Sequence, residues 1–90
     1  MNVLFINVNI LCHNLTTKDE KIVNQILDER KKVITRITHK HNDSIDKVST
    51  EFTGLTADLF SLVRTLNTNG FITELRSIDK TKPVELIIKK

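Results

Sequence analysis

Apolar and polar positions change period along this chain, and each change marks a predicted element. Near the start, Leu4, Ile6, Val8, Ile10 and Cys12 alternate with Phe5, Asn7, Asn9 and Leu11. That period of two predicts a strand over residues 3–12. A helix using Leu4, Val8 and Leu11 is the competing reading, weakened by the two asparagines inside it. From Ile22 the period lengthens: Ile22, Val23, Ile26 and Leu27 form one helical stripe, with Asp28, Arg30, Lys31 and Lys32 mostly outside it. Thr17, with Glu20 three residues on, has the form of a capping box, and Asp19 suits the positive end of the helix. Val33–Thr38 fits two readings. Ile34 and Ile37 continue the stripe, yet the β-branched run also suits a short strand; we read the helix on to about residue 38.

His39-Lys40-His41-Asn42-Asp43 is a polar break, and Asp43 or Ser44 caps a second helix with Ile45, Val48 and Phe52 as its stripe. This helix ends near Thr53-Gly54, where glycine takes a left-handed turn cheaply. Thr56 caps a third helix, Ala57–Thr68, with Leu59, Leu62, Val63 and Leu66 turned to the core; Asn69-Gly70 closes it. Phe71–Ile78 and Val84–Ile88 alternate as strands and are joined by Asp79-Lys80-Thr81-Lys82-Pro83. Pro83 precedes the second strand, where its missing N–H does least harm. No repeat, linker or low-complexity stretch interrupts the chain, so residues 1–90 read as a single domain. The fold class this order predicts is α+β: a winged helix-turn-helix of three helices with a C-terminal β-hairpin wing and an N-terminal strand.

Composition adds the setting. At 39% hydrophobic and 28% charged the chain reads as a soluble globular domain, and with no Trp or Tyr its core must be mostly Ile, Leu and Val. Ninety residues bury a modest fraction of their surface. One cysteine cannot close an intramolecular disulfide, which predicts a reducing, cytoplasmic setting. Residues 1–17 carry no charged side chain; Asn2, Asn7, Asn9, His13 and Asn14 interrupt them too often for a membrane span. They also lack the basic start and small-residue cleavage site of a signal peptide. We expect them to be buried, in the core or against a second subunit.

The net charge of +3 is compatible with nucleic acid, and its distribution says more. From Arg30 to His41 the chain carries Arg30, Lys31, Lys32, Arg36 and Lys40, with His39 and His41, and no acid. Arg76, Lys80, Lys82, Lys89 and Lys90 form a second basic set. Catalytic chemistry is not evident. His39 and His41 have no second half of a zinc signature, adjacent Cys12 and His13 face apart in a strand, and Gly-rich phosphate loops and paired-carboxylate sites do not stand out. Cys12 is expected to be buried. No enzymatic activity, metal or cofactor is predicted.

The third helix is then the candidate reading helix. Its polar face carries Asp58, Ser61, Arg64, Thr65 and Thr68; arginine can bond guanine O6 and N7 together, and Ser and Thr can bond bases or phosphates. Asp58 is an awkward neighbour that repels the DNA backbone. Thr53 and Thr56 sit where N–H groups at a helix start approach a phosphate. Arg36, Lys40, Lys47, Arg76, Lys80 and Lys82 are candidates for docking on the backbone, the last two from the tip of the wing.

Leu62-Val63-Arg64-Thr65-Leu66-Asn67-Thr68-Asn69-Gly70-Phe71-Ile72 resembles the end of the recognition helix and the start of the wing in MarR-type and related bacterial winged-helix proteins. Leu15-Thr16-x-x-Asp19-x-x-Ile22-x-x-x-Ile26-Leu27 also looks like the first helix of such domains. The resemblance covers residues 15 to 90. The chain departs from the pattern in lacking long terminal dimerisation helices and in having Asp79-Lys80-Thr81-Lys82 where a wing often shows Asp-x-Arg. It also resembles the centromere-binding adaptors of plasmid and phage partition systems. The resemblance implies a homodimer that binds double-stranded DNA, first as a transcriptional repressor. The alternatives are a DNA-segregation adaptor working with a filament-forming NTPase, or a protein-interaction module without a DNA role. The uncharged N-terminal segment is the expected dimer interface.

Overall fold

A computed structural model describes residues 5–77 and 79–90, with Asp46 as backbone only. The alternation near the start forms β1 (Phe5–Cys12), and the Ile22–Leu27 stripe belongs to α1 (Thr17–Asp28). Then follow β2 (Ile34–His41), β3 (Ser44–Leu55), α2 (Thr56–Thr68), β4 (Ile72–Arg76) and β5 (Val84–Lys89). The strands form one five-stranded sheet in the order β2-β3-β1-β5-β4. β1 and β5 are parallel, and the other neighbouring pairs are antiparallel.

Register decides what is buried. Val8 lies between Phe52 and Val84, and Ile10 between Thr50 and Leu86. Residues directly opposite share a face, so Val8, Ile10, Phe52, Leu86 and Ile88 turn the same way. Val23, Ile26 and Leu27 of α1 and Leu59, Leu62 and Leu66 of α2 close over them in one cluster. Each such side chain, fully buried, contributes about 1.5–3 kcal/mol. Both helices therefore cover one face of the sheet, and the other face, bearing Phe5, Asn7, Leu11, Thr53 and Leu55, is exposed. Ile87 is also buried, on the open face, between Leu11 and Glu74.

The winged helix-turn-helix is not the fold. Among the described residues there are two helices, not three, and the segment expected to be the second helix is β3. Ile45, Val48 and Phe52 have helical spacing, but only Phe52 is buried; Ile45 is 65% exposed and Val48 is 55% exposed. The first helix stops at Asp28 instead of running on to residue 38, and Ile34–His41 pairs with β3 as an edge strand. Asn42 and Asp43, with φ of 50° and 65°, form the turn between β2 and β3. Positive φ at both central residues is what a type I′ hairpin turn demands, so Asp43 is a turn residue and not a helix cap. The C-terminal hairpin is no appended wing, because β5 lies beside β1 inside the sheet.

Local signals shift as well. The first helix is capped by Thr16, whose Oγ1 accepts from Asp19 N at 3.1 Å, rather than by Thr17. Leu55 occupies the N-cap position of α2, and Thr56 is the first helical residue. Gly54 is a strand residue, not a left-handed one: a Cβ there would meet Val33 Cγ1 at 2.8 Å, so glycine lets the α1–β2 connection cross the sheet. Gly70, by contrast, has φ of +91° and ends α2 as the sequence predicts. Leu4 and Ile78, both expected in strands, lie outside the described residues.

Of the uncharged N-terminal segment, expected to be buried, only Val8 and Ile10 of β1 are buried, while Phe5, Asn7, Leu11 and Cys12 are exposed. β1 sits between β3 and β5, and Val8 has no exposed surface, so this strand offers no edge to a second subunit.

Candidate nucleic-acid interface

β1 pairs with β3 as far as Ile10 opposite Thr50, but β2 and β3 stay paired to His41 opposite Ser44. Beyond β1 they run on as a two-stranded ribbon. β-branched Ile, Val and Thr on both strands favour extended backbone, and Asn42-Asp43 closes the tip. A bulge lies between His39 and Lys40: His39 faces Lys47 while Lys40 faces Ile45, which leaves Asp46 as the extra residue. His39 Nε2 and Ser49 Oγ share a 2.8 Å hydrogen bond across the strands. From Ile37 to Val48 every residue whose side chain is described is exposed.

The ribbon is braced at its base. Arg36 donates from Nη1 to Asp28 Oδ1 and from Nη2 to Asn24 Oδ1, both at 3.0 Å, tying β2 to α1. Arg30 donates to the Ile26 carbonyl and to Thr65 Oγ1, both at 2.9 Å, tying the end of α1 to α2. Two of the arginines in the basic run are thus structural braces. Lys31, Lys32, Lys40 and Lys47 make no ion pair among the described residues.

The other predicted site residues are dispersed. Thr53 is on the open face, donating weakly to Asn7 Oδ1 at 3.4 Å, and Thr56 begins α2. On α2, Thr65 Oγ1 receives Arg30 and donates to the Ser61 carbonyl, and Thr68 Oγ1 donates to the Arg64 carbonyl. Ser61 and Arg64 flank a shallow hollow with Ala57 and the exposed Phe60. β2 and β3 separate α1 from α2, so no helix-turn leads directly into α2 as it does into a recognition helix, and Thr65 is already engaged. Arg76 ends β4 on the open face.

Lys80 and Lys82 lie in the β4–β5 loop, exposed. Asp79 shapes this loop: its Oδ1 accepts from Thr81 N at 3.0 Å and its carbonyl accepts from Lys82 N at 3.2 Å. The Thr81 N–H also holds the Asp79 carboxyl below its ordinary pKa. The loop leads into Val84, which pairs with Val8, whereas the ribbon projects past Ile10 toward the other end of β1. The two groups of lysines therefore occupy opposite ends of the sheet.

Two concavities flank these groups. One, of about 590 Å³, lies where the ribbon leaves β1 and is lined by Asn9, Leu11, His39, Lys47, Ser49 and Glu51 among others. The second, of about 550 Å³, lies between the α1–β2 connection and the start of α2; there Asp28, Glu29 and Asp58 offset Arg30, Lys31 and Lys32. Its mixed charge suits a phosphate less well. Cys12 is exposed rather than buried as expected; partial shielding of its sulfur, then Glu20, push the thiol pKa up, making it a poor nucleophile near neutral pH. Among the described residues no group of three His, Cys, Asp or Glu is placed to hold a metal, and no helix is long and apolar enough to cross a membrane.

The site expectations did not include His39 or Ser49, which meet across the ribbon. The signal that could have found them is Asn42-Asp43 flanked on both sides by Ile, Val and Thr, which is a hairpin signature. No protein-family model, curated protein or solved structure matches the chain.

Proposed function

We propose that the protein binds double-stranded DNA, with the β2–β3 ribbon laid into a groove. One observation carries this reading: a projecting ribbon, exposed on both faces, directly follows the segment, residues 30–36, that holds the chain's positive excess. Residues 30–47 include Arg30, Lys31, Lys32, Arg36, Lys40 and Lys47 against only Asp43 and Asp46, while the whole chain has 14 basic and 11 acidic residues. The major groove of B-DNA admits a two-stranded ribbon as readily as a helix. Lys40 and Lys47 near the tip supply phosphate contacts. His39, Ser49 and Thr38 are the polar side chains that can meet base edges.

Occupying an operator as a repressor is the first use we propose, since it asks only that the ribbon cover a groove. A partition adaptor must in addition recruit a filament-forming NTPase. A second reading, docking on another protein, is favoured by the exposed Ile37, Ile45 and Val48 on the same ribbon.

Fluorescence anisotropy tests the proposal, using a duplex from upstream of the gene and a scrambled duplex over a salt series. DNA binding by the ribbon requires a Kd that rises steeply with salt and a clear loss of affinity in Lys40→Ala plus Lys47→Ala. Weak, salt-insensitive binding to both duplexes would overturn it. If Ile45→Ser then abolished capture of a protein partner, the docking reading would take its place.

A further inference from the structure

The sheet has two edges, and they are built differently. The β2 edge carries Arg36, His39, Lys40 and His41 and is bent by the bulge opposite His39 and Lys40. Charges and bulges of this kind keep an edge from pairing with another chain. The β4 edge, Ile72-Thr73-Glu74-Leu75-Arg76, has no lysine, proline or bulge, and its register with β5 is unbroken. It also leaves Ile72 and Leu75 exposed, Leu75 by 46%.

We propose that β4 is a homodimer edge: a second copy pairs its own β4 antiparallel about a two-fold axis at Leu75, extending one sheet through both copies. The register follows from faces and charges. Glu74 and Arg76 lie on the open face with Ile87 and Glu85, and Thr73 and Leu75 lie on the helix side with Ile88 and Leu86. An axis perpendicular to the sheet keeps the two open faces on one side, so paired residues must share a face. Centring on Glu74 or on Arg76 sets that residue against its own copy, a like-charge pair. Centring on Thr73 sets Ile72 against the partner's Glu74. Centring on Leu75 sets Glu74 against the partner's Arg76 twice over, Leu75 against the partner's Leu75, and Thr73 against the partner's Ser77.

The side chains are available for this arrangement. The Arg76 side chain makes no ion pair or hydrogen bond among the described residues, although it stands opposite Glu85. Glu74 is ionised, held below its ordinary pKa by Lys89 at 3.2 Å and, to a lesser extent, by Arg76. The partner's Arg76 completes a three-charge cluster around it. The ribbons then stand at the two outer ends of the joined sheet, far from the dimer seam.

Sedimentation velocity without DNA tests this independently of the proposed function. Wild type should show a monomer–dimer equilibrium. Glu74→Arg makes β4 wholly basic and Arg76→Glu makes it wholly acidic; each should weaken self-association by about tenfold or more. An equimolar mixture of the two should associate at least as tightly as wild type, because both cross-strand pairs are then attractive. Circular dichroism confirms that each variant folds. Should either fail, Leu75→Lys, at an exposed position, places like charges on the axis and should give a folded monomer. A wild type that stays monomeric at high concentration, a dimer indifferent to these changes, or folded variants whose mixture does not associate would each overturn the proposal.

Discussion

Arg30 and Thr65 join the two helices: Nη2 of the arginine, at the end of α1, donates to the threonine hydroxyl on α2 at 2.9 Å. The same hydroxyl donates to the Ser61 carbonyl. Thr65 is therefore a helix–helix contact, whereas the sequence placed it among base-reading residues. Thr65→Val should cost about 1 kcal/mol in a urea titration, the usual worth of one such bond, and leave DNA affinity unchanged. A variant of wild-type stability that lost DNA binding would return Thr65 to the DNA interface.

Lysines at opposite ends of the sheet should behave differently. Removing Lys40 and Lys47 together should lower the slope of log Kd against log salt by about 2, near 0.9 for each phosphate no longer neutralised. Lys80→Ala plus Lys82→Ala should change it little, since that loop lies at the far end from the ribbon tip. Equal effects from both pairs would show that the duplex spans the sheet lengthwise.

Val8→Asp should unfold the protein, not merely split a dimer. Val8 is wholly buried between β3 and β5, and an unpaired carboxylate there costs about 4 kcal/mol or more, a large share of a small domain's stability. Loss of the far-UV dichroism signal is the expected readout; a folded monomer would contradict this placement.

Gly54→Ala tests the crossing with Val33. The added methyl falls 2.8 Å from Val33 Cγ1 and should destabilise by about 1–3 kcal/mol through overpacking. Val33→Ala in the same chain should recover part of that loss, giving non-additive denaturation midpoints.

Asp19 is mostly buried and is held below its ordinary carboxylate pKa of 3.8, chiefly by the hydrogen bond from Lys90 Nζ at 2.9 Å. The folded state thus binds fewer protons than the unfolded one in this range. The stabilisation is fully present above 3.8 and is lost as pH falls through the lower folded value. Lys90→Met removes the main cause, so its stability should fall less steeply on acidification than that of wild type in urea titrations from pH 6 to about 2. Parallel pH curves would show that the pair contributes nothing measurable.

Much of the sheet's centre was legible in the sequence. Val8 and Ile10, the stripe of α2, the Asn69-Gly70 stop and the last two strands all follow from local periodicity backed by burial. The β2–β3 hairpin was not, for a physical reason. A strand exposed on both faces has no buried side to impose a period of two, and Thr38 and Thr50 occupy positions where a half-buried strand would show apolar residues. Phe52 is a true core residue, and its spacing from Ile45 and Val48 gave the segment a helical look. Strand order was also beyond reach, since nothing local tells β5 to lie beside β1. Hence the candidate interface was read on the outer surface of α2, whereas the positive excess is carried by residues 30–36, which lead into the ribbon.

The parallel pairing of β1 with β5 has a consequence for how the chain acquires its shape. The strand that begins the described sheet cannot complete its pairing until the last strand has been synthesised, because Val8 meets Val84 and Cys12 meets Ile88. α1, the β2–β3 hairpin and α2 can form from local contacts on microsecond scales. The central β1–β5 closure is as non-local as this chain permits, and topologies of high contact order fold slowly. On the ribosome, the sheet's middle should therefore stay open until β5 emerges, with Val8 and Ile10 exposed in the interval to chaperones or to another nascent chain.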